Sequence, residues 1–349
     1  MLTALIIAGL ALFGLGAATQ HLAHQAERDF PPTGAMIEAG GIRQHVIEQG
    51  PADGPPLVMI HGAFGAAQDF AVSIMPQTAR RYRSIAIDRP GHGYSERGAD
   101  SPVTPDKQAQ YLHAALQALG VHKPILLGFS FGGAVALAYA LQYPDDVGAL
   151  LLINTASHPW PTPVELSYRL DGSPVIGPLL RYTLITPVGH LIVNQGVESV
   201  FSPAPVASAY ARAPVGLSLR PASYHANAED IRTLKPFLAA QAPRYPMLTV
   251  PLIVLVSDED NAASPIIHSR PLAAAVPGAQ LVEISGGGHP LHFTRPQLVL
   301  EAIDRAATLR RLRSAARHCA ARPAAGPEGR ARPAPRSPRC RCNPAAPHA

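Results

Sequence analysis

Pro124-Ile125-Leu126-Leu127-Gly128-Phe129-Ser130-Phe131-Gly132-Gly133 joins an apolar run of strand length to an apolar run of helix length, and this junction decides the fold. The spacing predicts a strand over Pro124–Gly128 and a helix over Phe131–Gln142. A serine in so tight a turn has a strained backbone, and side chains two residues before and after it would collide; Gly128 and Gly132 remove them. The turn lifts the serine hydroxyl above the C-terminal edge of the sheet. It also aims a helix N-terminus at that hydroxyl, where N–H groups and the helix dipole favour developing negative charge.

A serine hydroxyl is a poor nucleophile at neutral pH and requires a base within reach and a group that orients the base. The predicted strand Gln280–Ile284 runs into Gly286-Gly287-Gly288-His289-Pro290, which puts His289 on a flexible loop at the same sheet edge; His292 is its rival. The predicted strand Pro251–Ser257 ends in Asp258-Glu259-Asp260, again at a C-terminal strand end. An acid there can accept the second imidazole N–H, set the tautomer and stabilise the imidazolium.

Outward from these three points the chain alternates strand-length apolar stretches with amphipathic ones, the pattern of a parallel sheet with helices on both faces. A hairpin is expected over Ala35–Glu38 and Gln44–Glu48, then strands over Pro56–Ile60, Ser84–Asp88 and Val147–Ile153. Helices are expected over Thr104–Leu119, Ser264–Ala275 and Pro296–Arg313. Residues 157–246 break the rhythm with many prolines and short apolar helices, and read as a helical cap inserted between two parts of the core, 34–156 and 247–313.

Two ends stand apart. Residues 1–20 contain the charge-free run Leu2–Ala18, close to the lower limit of about 17 residues for a membrane span. No Lys or Arg precedes it, so an uncleaved single-pass anchor is expected in preference to a signal peptide that is removed on export. Residues 314–349 collapse to Ala, Pro, Arg and Gly and are expected to be disordered. Ten arginines and one acid lie from Arg310 onward, so the net charge of +5 conceals a body with 19 basic and 23 acidic residues. That balance, with no basic stripe or zinc-finger spacing, argues against a nucleic-acid partner. All three cysteines lie in the tail, which excludes thiol chemistry in the body.

The chain resembles the α/β-hydrolase family, and particularly its cap-containing, esterase- or lipase-like members. Besides the serine turn, the resemblance rests on His61-Gly62, Asp88-Arg89-Pro90-Gly91-His92-Gly93-Tyr94-Ser95, Asp260 and Gly288-His289. It implies a mostly parallel eight-stranded sheet with a cap after the sixth strand. The family register selects Ser130, Asp260 and His289 as the triad, although Ser257 stands where the family usually has Gly. The family's alternative acid position is Asn154, which cannot carry the charge. The backbone N–H groups of Ala63 and Phe131 are implied as the oxyanion hole, and the Asp88–Gly93 loop, with His92, as structural.

The expected activity is hydrolysis of a carboxylic ester through an acyl-enzyme, with no cofactor and no metal. A cofactorless perhydrolase or a C–C-bond hydrolase would use the same triad, and a non-catalytic ligand-binding role on the same fold is the remaining alternative. Leu179, Leu180, Leu184, Ile185, Leu191 and Ile192 of the cap suggest an apolar acyl group or internal packing.

Overall fold

A computed structural model describes residues 1–320. Eight strands form one sheet in the order β1-β2-β4-β3-β5-β6-β7-β8. They are β1 (Ala35–Ala39), β2 (Ile42–Gln49), β3 (Pro56–Ile60), β4 (Arg83–Ile87), β5 (Ile125–Phe129), β6 (Ala149–Ile153), β7 (Leu252–Ser257) and β8 (Gln280–Ile284). β1 pairs antiparallel with β2 and β2 with β4; every later pairing is parallel.

The central strands are apolar at every position because both faces are covered. Val58, Ile60 and Leu126 face a core layer that includes α4 (Pro105–Ala118) and α5 (Phe131–Gln142). Leu57, Met59 and Leu127 face the opposite layer, built from α2 (Ala67–Val72), α3 (Met75–Thr78) and the C-terminal helix. Ala149–Ile153 is fully buried, and each such Leu or Ile contributes about 1.5–3 kcal/mol of burial free energy. Because β3, β5, β6, β7 and β8 run parallel, their C-terminal ends share one edge, where a site can be assembled from distant parts of the chain.

Between β6 and β7 the chain leaves the sheet for α6 (Leu166–Asp171), α7 (Ile176–Leu180), a π-helical turn (Arg181–Ile185), α8 (Thr186–Phe201), α9 (Val215–Ser218) and α10 (Pro221–Gln241). α10 is longer and more polar than the short apolar helices expected there, and it carries Pro236 within it. The return half adds α11 (Ser269–Ala275), α12 (Leu291–Thr294) and α13 (Pro296–Ala320).

Two expectations need correction. The tail expected to lose structure at Ser314 stays helical through Ala320, because Ala and Arg are strong helix formers whether or not they bury anything; residues 321–349 lie outside the described residues. The N-terminal helix α1 (Leu2–Asp29) extends well past Ala18, and its second half packs on the helices after β6. Thr19 donates to the Thr183 carbonyl, and Glu27 pairs with Arg220 at 3.0 Å.

Candidate active site

Ser130 occupies the turn between β5 and α5 with φ 52° and ψ −119°, a conformation that costs a residue with a side chain about 1–3 kcal/mol. The surroundings hold it there. Its N–H donates to the Ile153 carbonyl at 3.0 Å, and its own carbonyl accepts from Gly133 and Ala156. A Cβ on Gly132 would lie 2.2 Å from the Ile60 carbonyl oxygen, and one on Gly128 would lie 2.6 Å from the Gly133 backbone. The two glycines therefore let helix and strands approach closely enough to force the turn. Among the described residues the Ser130 hydroxyl takes part in no hydrogen bond.

Asp260 and His289 meet at this edge. Both carboxylate oxygens lie within 2.9 Å of His289 Nδ1, and Oδ1 also accepts from the backbone N–H groups of Ala262 and Ala263. Bonded so, Nδ1 carries the proton and Nε2 is left as the basic nitrogen. The ring of Phe129, next to Ser130 in the chain, lies 4.8 Å from the imidazole. Asp258 turns away to bond Ser285 and the Gly286 N–H. His292 is buried, its Nδ1 has no partner among the described residues, and burial pushes its pKa down to about 3. The fold thus brings Asp260 to His289 and to neither alternative.

Asn154 was notable in the sequence only as an acid position without an acid. It sits just past β6 with φ 44°, a left-handed conformation that asparagine tolerates. Its Nδ2 donates to the carbonyls of Gly288 and His289, and its Oδ1 accepts from Ser257 N–H. One amide side chain therefore ties the histidine loop to β7. From the other side, His289 N–H donates to the Val200 carbonyl at the end of α8. A Cβ on Gly288, whose φ is +66°, would lie 2.2 Å from the Phe201 carbonyl.

The loop after β3 completes the site. The N–H groups of Ala63 and Phe131 donate to nothing among the described residues, and Gly62 approaches so closely that a Cβ there would lie 3.0 Å from Ser130 Cβ. Arg89 holds this loop: its guanidinium donates to the His61 and Gly62 carbonyls, and its N–H donates to His61 Nε2. Burial and the Arg89 charge drive the His61 pKa well below its ordinary value, so the ring stays neutral and accepts that bond. Arg89 is buried, stacks 4.3 Å from the Phe131 ring, and reaches Asp230 on α10 at 2.5 Å. Asn227, also on α10, accepts from Phe64 N–H. Sequence reasoning missed Asp230, Asn227 and the positioning part of Asn154, since no local pattern marks a side chain whose partner lies over a hundred residues away.

A strained serine at a strand-to-helix turn, beside an aspartate-bound histidine and two free backbone amides, defines a hydrolase site on a parallel α/β sheet. The family model for the alpha/beta hydrolase fold matches residues 55–296, and the chain belongs to that family. It is similar to 2-hydroxymuconate semialdehyde hydrolase of Pseudomonas sp. (strain CF600), 38% identical over 172 residues; the match spans 49% of this chain and 60% of that relative. The fold superposes on the enol-lactonase of Burkholderia xenovorans LB400 with a TM-score of 0.65 and 21% identity, over 78% of this chain and all of the other. A membrane phospholipase A superposes with a TM-score of 0.60 and 20% identity, over 89% of this chain and 96% of its own.

Proposed function

We propose that this hydrolase cleaves carboxylic esters with an apolar acyl or alcohol part, through an acyl-enzyme on Ser130. His289 Nε2 takes the hydroxyl proton as Ser130 Oγ attacks the carbonyl carbon. The oxyanion that forms accepts from the N–H groups of Ala63 and Phe131, and losing one such donor typically costs about 2.7–4 kcal/mol in the transition state. Asp260 stabilises the imidazolium, which then protonates the leaving alkoxide. Water activated by the regenerated imidazole releases the acid and restores Ser130.

The observation that carries this reading is the bidentate Asp260–His289 pair beside the strained Ser130 turn. The test is labelling of the full chain with a fluorophosphonate, peptide mapping of the adduct, and turnover of p-nitrophenyl esters. Labelling at Ser130 that vanishes in His289→Ala supports the reading. A folded chain that neither labels nor turns over esters removes it and leaves the ligand-binding alternative.

The similarity to 2-hydroxymuconate semialdehyde hydrolase favours a second reading, cleavage of a C–C bond with the same three residues. That substrate carries a carboxylate, whereas the guanidinium stacked on Phe131 is already committed to Asp230. Loss of the substrate's absorbance on mixing with the chain would decide for C–C cleavage. We further propose that residues 157–246 act as a cap over the site and that the exposed first half of α1 anchors the chain in a membrane as a single span.

A further inference from the structure

The cap residues whose apolar character suggested an acyl pocket do not turn inward. Ile176–Phe201 forms one nearly continuous helical run through α7, the π-helical turn and α8, and with α1 it is one of two helices long and apolar enough to cross a membrane. Its inner face is the polar, close-packed one. Thr183 meets α1, Thr186 donates to the Leu219 carbonyl, and Gly189 lies against Leu219. Its outer face carries Val175, Leu179, Tyr182, Val188, Leu191 and Ile192, all exposed and mostly three or four residues apart, with Leu191 at 82% exposure. An amphipathic helix on a water-facing surface shows the reverse pattern. The only Lys, Arg, Asp or Glu side chains in the run are Arg181, which turns back to Asp171 at 3.0 Å, and Glu198 near its end.

The same face adjoins the apolar half of α1, where Leu2–Gly14 is exposed throughout. No polar spacer separates that half from the body. Gly16 already lies beside the Tyr182 carbonyl, and Thr19, the first polar side chain past the apolar run, is buried against Thr183. If α1 enters a bilayer, the boundary between hydrocarbon and headgroups therefore falls beside Tyr182 and Thr183, midway along the outward apolar face. Contiguous exposed apolar surface of this kind is unusual on a protein surrounded by water.

We propose that the outer face of Ile176–Phe201 is a second membrane contact, seated in the headgroup–acyl boundary of a phospholipid bilayer beside α1. This rests on the anchoring reading of α1. The helix that lies on the lipid is also the helix whose final carbonyls clasp the histidine loop, through Val200 and His289. Ester substrates dissolved in the bilayer then meet the cap directly.

The test uses the full chain with Cys319, Cys340 and Cys342 replaced by Ser, mixed with phosphatidylcholine vesicles. An environment-sensitive fluorophore is attached at Leu191→Cys or, as a control at the opposite sheet edge, at Asp53→Cys. Co-flotation with vesicles, a severalfold rise in emission at position 191, quenching there by nitroxide-bearing lipid, and no change at position 53 are expected. Co-flotation with position 191 still in water overturns the cap contact and leaves the anchor standing. Failure to co-float overturns the anchor and the cap contact with it.

Discussion

Arg89 and Asp230 are 141 residues apart in the chain and meet as a buried ion pair at 2.5 Å, joining the loop after β4 to the helix α10 inserted after β6. The pair is fully satisfied: Arg89 also bonds Gln108 and the His61 and Gly62 carbonyls, and Asp230 also receives Arg97 and Gln108. Removing one member of such a pair strands the other and costs about 3–5 kcal/mol, whereas replacing both by apolar residues is often neutral. Asp230→Leu is expected to lose that much stability in urea unfolding, and Arg89→Met/Asp230→Leu to recover most of it. The double variant is still expected to have low kcat, because the Gly62 carbonyl has lost its donor and the Ala63 N–H is no longer held. Full activity in the double variant would show that Arg89 serves only the fold.

Asp260→Asn keeps the shape of the acid and removes its charge. The imidazole then loses the partner that sets its tautomer, and kcat on a p-nitrophenyl ester is expected to fall by about four orders of magnitude. Ser130→Ala is expected to abolish both turnover and fluorophosphonate labelling while leaving the unfolding curve near that of the parent. Turnover close to the parent's in either variant would assign the chemistry to other residues.

Asn154→Leu preserves volume and deletes the bonds to Gly288, His289 and Ser257. Each hydrogen bond contributes about 1 kcal/mol net, so a shift of one to two of these in the ordering of the histidine loop lowers kcat by roughly 5- to 30-fold. KM is expected to stay near its parent value, since Asn154 holds the base and touches no substrate. A change confined to KM, measured on a soluble ester, would contradict the positioning role.

Acid stability follows from histidines that the fold keeps neutral. Burial pushes His292 down to about 3 and His268 to about 4, and lowers His61 and His92 well below the ordinary value. Between about pH 6.5 and 4 the unfolded chain binds protons at these sites that the native chain does not, so stability falls as pH falls through that window. Asp69 opposes them: burial raises it to about 7, so the native state holds a proton there that the unfolded state lacks. Three net protons set a limiting slope of about 4 kcal/mol per pH unit. His45 is raised and Asp88 lowered by their mutual bond, and they act outside the window, above and below it respectively. His292→Leu should remove one proton from the slope in urea unfolding at pH 6.5, 5.5 and 4.5; an unchanged slope would mean that His292 is protonated in the native state.

The sequence by itself determined the strands, the serine turn and the apolar character of α1, because each follows from residues within a few positions of one another. Gly128, Ser130 and Gly132 form one steric unit, and a strand such as Ala149–Ile153 shows its double burial in its own composition. The triad was legible through family register, since Asp260 and His289 each sit at a strand end whose position the sheet order dictates. Only the tertiary structure decided what lies between these points. Arg89 bonds Asp230, Asn154 holds the His289 loop, and α10 forms with Pro236 inside it, all through contacts whose strength depends on distance in space and leaves no periodic mark in the chain. Leu191 and Ile192 make the same point from the opposite side. An apolar residue in a sequence says that water is unfavourable around it, but whether the core or another apolar phase removes that water depends on the direction the folded helix faces.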